Sequence, residues 1–242
     1  MPFVELFIII FLIFFQSIFG IGLLLFGTPT FLLLDYNFLY ILNLLLPISI
    51  TISLIQIFSS KIQIKNFKIN FNLYCLPFLI ASLFFLIKNI NKIDIEIYVS
   101  FIIIIFSILN LNKKKFIFLK NFSETKQKIF LILIGIIHGL TNLGGSILTI
   151  FSSMVNKGNK EKTRHSIAYG YSIMAFFQIL VLYFFSNNYI VMSNLLYIGL
   201  VFLIYYPTQK IFNKFKSEKF FKLLNIFALF FGSILLLKKI YE

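Results

Sequence analysis

Between Ile129 and Asn156 the chain reads IFLILIGIIHGLTNLGGSILTIFSSMVN, 28 residues without a lysine, arginine, aspartate or glutamate. A bilayer core about 30 Å thick is crossed by about 20 helical residues. The run is too long for one straight crossing and too short for two. At its centre stands His138-Gly139-Leu140-Thr141-Asn142-Leu143-Gly144-Gly145-Ser146. Adjacent glycines and an asparagine make a poor helix interior. The economical reading is a broken helix, two half-helices meeting inside the membrane. Irregular backbone at that depth is tolerated only where it is buried in protein or lines a watery cavity, so the break is also a candidate transport path.

The rest of the chain fits that reading. It has 242 residues, 60% hydrophobic, with a mean hydropathy of +0.95. Long uncharged runs recur from end to end, which predicts an all-α, polytopic membrane bundle. A membrane β-barrel is excluded, because its strands would alternate polar and apolar. Met1 to Glu5 offers neither a positive n-region nor a small-residue cleavage site, so no removable signal peptide is expected. The single cysteine, Cys75, rules out an intramolecular disulfide and a cysteine metal site. The net charge of +14 lies in the connectors, where it faces the lipid bilayer rather than nucleic acid. The abundance of Lys, Ile, Phe and Asn matches an AT-rich genome, so aromatic content carries no functional weight.

About eight hydrophobic segments follow one another: 6–34, 36–60, 69–87, 97–112, 129–156, two within 166–209 divided at Ser186-Asn187-Asn188, and 223–237. The most basic connector, 113–128, separates a first membrane repeat, 1–112, from a second, 129–242. The first segment is interrupted at Gly20-Ile21-Gly22, and a shift of 122 residues carries that break onto Asn142-Leu143-Gly144. The same shift carries Gln56 onto Gln178. A repeat of apolar segments, interrupted at the same place in each half, points to a transporter. If segments one and five are re-entrant, then of the 22 basic residues only Lys88, Lys92, Lys238 and Lys239 fall on one face. The positive-inside rule prefers that arrangement. It gives three crossings per half, inverted halves, and both termini on the non-cytoplasmic side.

Gly20-Ile21-Gly22-Leu23-Leu24-Leu25-Phe26-Gly27-Thr28-Pro29 resembles the G-x-G-G-G-x-x-x-x-P motif of the sulfite exporter TauE/SafE family, with leucine at two of its glycines. Gly139-Leu140-Thr141-Asn142-Leu143-Gly144-Gly145-Ser146 is similar to the second copy, with Asn142 at a usual glycine and Phe151 where proline is expected. The resemblance extends along the chain through segment order. It implies a multi-pass permease of the bacterial inner membrane, carrying a small anionic substrate such as a sulfur oxyanion or organosulfonate. It implies no cofactor, metal or enzymatic chemistry, and leaves a homo-oligomer open.

The candidate substrate-binding residues are Gly20, Gly22, Gln56, His138, Thr141, Asn142, Gly144, Gly145, Ser146 and Gln178. A half-helix N-terminus presents free N–H groups and a positive dipole end to an anion, and glycine lets a ligand approach the backbone. Each has a plainer reading. The glycines can serve helix packing, and Thr141 and Ser146 can bond their own helix. Gln56 and Gln178 can join helices, and His138 is either a proton relay or a neutral imidazole held between helices. Lys157–His165 reads as a charged loop, with His165 a surface residue beside Arg164. All carboxylates fall at span ends or in connectors, so no buried carboxylate is expected. Paired intramembrane aspartates, a His-Glu helix motif and phosphate loops are absent from the sequence, which argues against an enzyme. The second reading is a membrane subunit or assembly partner without transport activity.

Overall fold

The computed structural model describes residues 2–60, 62–111, 123–157, 159–186, 193–214 and 217–241. Among them there are helices and no strand. They are α1 Pro2–Phe19, α2 Leu23–Leu33, α3 Phe38–Phe58, α4 Lys65–Tyr74, α5 Leu76–Lys88 and α6 Ile95–Leu111, then α7 Glu124–Thr141, α8 Gly144–Val155, α9 Lys160–Phe185, α10 Ser193–Lys214 and α11 Ser217–Tyr241. Four stretches are long and apolar enough to cross a membrane: Phe38–Phe58, Lys65–Lys88, Lys160–Phe185 and Asn194–Phe212. Phe3–Phe19, Leu23–Leu33, Ile95–Leu109 and Gly144–Val155 are apolar but shorter. Large apolar side chains such as Phe7, Phe58, Phe184 and Leu203 stay exposed on the outside of the bundle, as lipid-facing residues do.

Local chemistry explains the helix starts. The side chains of Asn37, Ser123 and Asn159 accept from the backbone N–H of Leu39, Lys126 and Lys162, satisfying donors that a helix start leaves free. The chain bends at Cys75 because Pro77, in the first turn of α5, has no N–H to continue the ladder of α4. Two expectations are corrected. The charged stretch after Lys157 is not a loop for most of its length: Asn159 caps α9, so Lys160–His165 is helical. The basic connector before the second half is helical from Glu124 onward. Residues 113–122 and the Asn187–Asn188 turn lie outside the described residues.

α1 runs from one rim of the bundle to the other, and α2 turns back beside it. Phe15 and Phe26 meet with ring centroids 6.1 Å apart. At the first rim, Glu5 of α1 accepts from Tyr40 of α3 at 3.4 Å and from Tyr197 of α10 at 2.8 Å. Asp35 pairs there with Lys238, and Lys239 lies 3.4 Å from Asp94 and 3.6 Å from Glu96. At the second rim, Ser60 beyond α3 meets His165 of α9 at 2.5 Å, and Lys160 donates to the Phe212 carbonyl at 2.9 Å. α1 and α2 therefore form a hairpin that begins and ends at the first rim.

A shift of 122 residues carries the bounds of α1 onto 124–141, those of α7. It carries the start of α3 onto 160 and the start of α6 onto 217, where α9 and α11 begin. Packing follows the same exchange. α1 packs on α10 as α7 packs on α5, α2 on α3 as α8 on α9, while α3 meets α9 and α6 meets α11. The core lies between α3 and α9, flanked by the two breaks.

Candidate functional site

The first break separates α1 from α2. Gly20 and Gly22 hold φ of +74° and +133°, the region that glycine reaches without strain. The last turn of α1 leaves carbonyls without helical partners, and the Ser17 carbonyl collects three donors. These are Arg164 Nη2 at 2.7 Å, Gln209 Nε2 at 3.2 Å and Gln56 Nε2 at 3.4 Å. Gln56 also donates to the Gln16 carbonyl at 3.0 Å, and Gln16 Nε2 donates to Ser49 Oγ at 3.1 Å. A β-carbon on Gly20 would lie 3.3 Å from Arg164 Cγ and 3.7 Å from Gln56 Oε1. Four polar atoms of this group are buried and make no hydrogen bond among the described residues: Gln16 Oε1, Ser17 Oγ, Gln56 Oε1 and Arg164 Nε.

The second break separates α7 from α8. Asn142 takes φ +63°, a left-handed conformation that asparagine tolerates better than most side chains. Its N–H closes the turn onto the His138 carbonyl at 2.8 Å. Its Nδ2 donates across the bundle to Thr28 Oγ1 of α2 at 3.1 Å. Thr141 Oγ1 donates to the Ile137 carbonyl at 2.7 Å, and Ser146 Oγ to the Leu143 carbonyl at 2.9 Å. Both hydroxyls are thus engaged by their own helices. The two glycines sit against side chains: a β-carbon would come within 2.5 Å of His138 Cβ at Gly144 and within 1.5 Å of Tyr171 Oη at Gly145. The His138 and Tyr171 rings stand edge to face at 6.2 Å. His138 and Gln178 are fully buried, and neither ring nitrogen nor either amide atom has a hydrogen bond among the described residues. Gln178 is nevertheless close enough to the imidazole to bear on its charge. The pair lies close without hydrogen-bond geometry.

The ten sequence-derived residues are all buried, and they gather in two groups. Gly20, Gly22 and Gln56 form one; His138, Thr141, Asn142, Gly144, Gly145, Ser146 and Gln178 belong to α7, α8 and α9 at the other. The link between them is Thr28–Asn142, six residues beyond Gly22 and so about 9 Å along α2. Three residues were misread in the sequence. Arg164 is part of a candidate span and turns its guanidinium inward to Ser17 and Gln209. His165 is buried, 4% exposed. Glu5, only 8% exposed, is a buried carboxylate held by two phenols. Tyr171 escaped notice because an uncharged run rich in aromatics gives it no distinguishing signal. Gln16 carried a signal that was overlooked: the 122-residue shift places it on His138, as Gln56 falls on Gln178.

Among the described residues no group of histidine, cysteine, aspartate and glutamate side chains is arranged to hold a metal ion. Two cavities are formed by described residues, the second of them beside the first break. One of about 470 Å³ opens at the first rim between Tyr36, Lys92, Glu96 and Lys239. Another of about 250 Å³ is apolar, between Phe7, Phe11, Phe26 and Phe231. In comparisons with known proteins the chain matches no family model, no curated protein and no solved structure.

Proposed function

We propose that this chain is a membrane permease for small anions, built from two inverted repeats in the manner of the TauE/SafE family, with sulfur oxyanions or organosulfonates as its substrate class. The observation that carries the reading is the pair of helix breaks in register, each buried and each accompanied by unpartnered polar atoms: the amide oxygens of Gln16 and Gln56 at one, the His138 ring nitrogens and the Gln178 amide at the other. Buried polar groups normally find partners. Retaining two such sets in an apolar bundle is expensive unless a bound polar solute or water uses them in another state. The anion passes between the breaks, across the Thr28–Asn142 contact, and movement of one repeat against the other exposes it to each side in turn. The basic second rim is cytoplasmic by the positive-inside rule. Multi-pass insertion in a bacterial inner membrane and the absence of enzymatic chemistry belong to the same proposal.

One observation favours a second reading, a transport-inactive membrane subunit. Tyr171 fills the space over Gly145, and the cavity beside the first break is apolar. Uptake of radiolabelled sulfite, thiosulfate, taurine and acetate into proteoliposomes separates the two. Saturable flux of a sulfur anion above empty vesicles supports the permease. Flux of none of them, from protein that remains folded in the vesicle, favours the inactive subunit.

A further inference from the structure

The chain has a single arginine, and its surroundings are unusual for a structural one. The guanidinium of Arg164 is enclosed by the Ser17 carbonyl, Gln209 Oε1 at 2.9 Å, the Phe212 ring 4.0 Å from the guanidinium carbon, and the Tyr205 phenol beside it. None of these is an anion. The ion pairs among the described residues all involve Lys238 and Lys239 at the opposite rim. A half-buried charge compensated only by dipoles is disfavoured relative to water unless a counter-charge joins it.

Nη2 spends both of its protons on the Ser17 carbonyl and Gln209 Oε1, while Nε is buried and has no partner among the described residues. The Nε–H is therefore a donor in reserve for one oxygen of an oxyanion. Ser17 Oγ, fully buried, is a further unpartnered hydroxyl on the same wall. Gly20 clears the approach, since even a β-carbon there would press on the arginine stem. The repeat does not demand this residue, because position 42, its counterpart, is leucine.

We propose that Arg164 is an anion-binding residue: a small oxyanion docks on its Nε edge beside the Gly20–Gly22 break, at the end of the bundle ringed by lysines. This rests on the permease reading for its purpose, and it names the residue that first takes the substrate. Tetrahedral or trigonal oxyanions fit, because two of their oxygens can accept from the two unpartnered donors, the Arg164 Nε–H and the Ser17 hydroxyl; a halide offers a single atom. A structural role would need only a cation to cap α1, and lysine supplies that.

The test uses the full chain in detergent and in vesicles, with thiosulfate as probe. Three proteins are compared: wild type, Arg164→Lys, and Gln209→Glu, which sets a carboxylate of the same shape against the guanidinium. Thiosulfate should bind wild type saturably and raise its melting temperature, and chloride at equal ionic strength should do neither. Arg164→Lys should weaken binding about tenfold. Gln209→Glu should fold at least as stably as wild type, yet bind thiosulfate at least about tenfold more weakly, with a matching rise in KM if flux is present. Wild-type affinity in both variants overturns the proposal. So does stabilisation of wild type by phosphatidylglycerol vesicles, but not by thiosulfate in phosphatidylcholine, which would make a lipid headgroup the ligand. If wild type binds thiosulfate but carries no anion, the permease reading fails while the Arg164 site stands. If wild type carries anions and both variants match it, the reverse holds.

Discussion

Gly20 and Asn142 stand 122 residues apart and share a positive φ, +74° and +63°. Each ends a helix of 18 residues and turns the chain into a shorter one. Glycine meets the requirement by lacking a β-carbon. Asparagine meets it with a side chain that then crosses to Thr28. Asn142→Ala should therefore lose both features, and thermal melts should report about 2 kcal/mol, from a left-handed residue and a broken buried hydrogen bond. Asn142→Gly keeps the backbone, and Thr28→Val removes only the acceptor. Each should cost roughly 1 kcal/mol. Equal losses in all three variants would mean that backbone and side chain are not separable there.

Gly145 and Tyr171 make a second test. A methyl group at 145 collides with the tyrosine hydroxyl. Gly145→Ala should destabilise by about 2–3 kcal/mol, as overpacking does. Tyr171→Phe removes the oxygen, so the double variant should recover part of that loss, and a double-mutant cycle measures the coupling. No recovery would show that the glycine answers to the backbone alone.

Glycine packing against α5 is graded along α7. At Gly135 a β-carbon would lie 2.3 Å from the Cys75 carbonyl oxygen, at Gly139 2.0 Å from Ser82 Oγ, and at Gly199 of α10 it would meet nothing within 4 Å. Gly135→Ala and Gly139→Ala should both destabilise. Ser82→Ala should ease the second without helping the first. Gly199→Ala should be neutral or stabilise by up to about 1 kcal/mol, the helix propensity difference. Denaturation in mixed micelles orders the series.

Topology gives the fourth expectation. Glu5 and Lys238 both lie at the first rim, so the two termini share a side. A reporter active only in the cytoplasm should be silent when fused after Glu242. Bright signal would invert the orientation proposed above while leaving the fold untouched.

Much of this could be read from residue order. The run His138–Ser146 announced its break because glycine pairs and asparagine are poor helix interior, and the structure turns the chain there. Gly20–Gly22 followed from the same chemistry. Arg164 was not legible, because Lys157, Lys160, Glu161 and Lys162 beside it look like a solvated loop. Only the Asn159 cap reveals that α9 already runs through them. Glu5 looked like a chain terminus, and its burial depends on tyrosines 35 and 192 residues away. Periodicity reports which segments are apolar. It does not report which polar side chain the tertiary fold will draw inward.

The ion pairs of the first rim have a mechanical meaning. Lys238 and Lys239 fasten the end of α11 to the corners at Asp35 and at Asp94–Glu96, so both halves of the chain are clasped there. At the other end fall most of the chain's lysines, and like charges repel. A body clasped at one end and spread by like charge at the other behaves as a pair of tweezers. The ion-paired rim is its fastened end, the lysine-rich rim its jaws, and added salt weakens the clasp and the repulsion together.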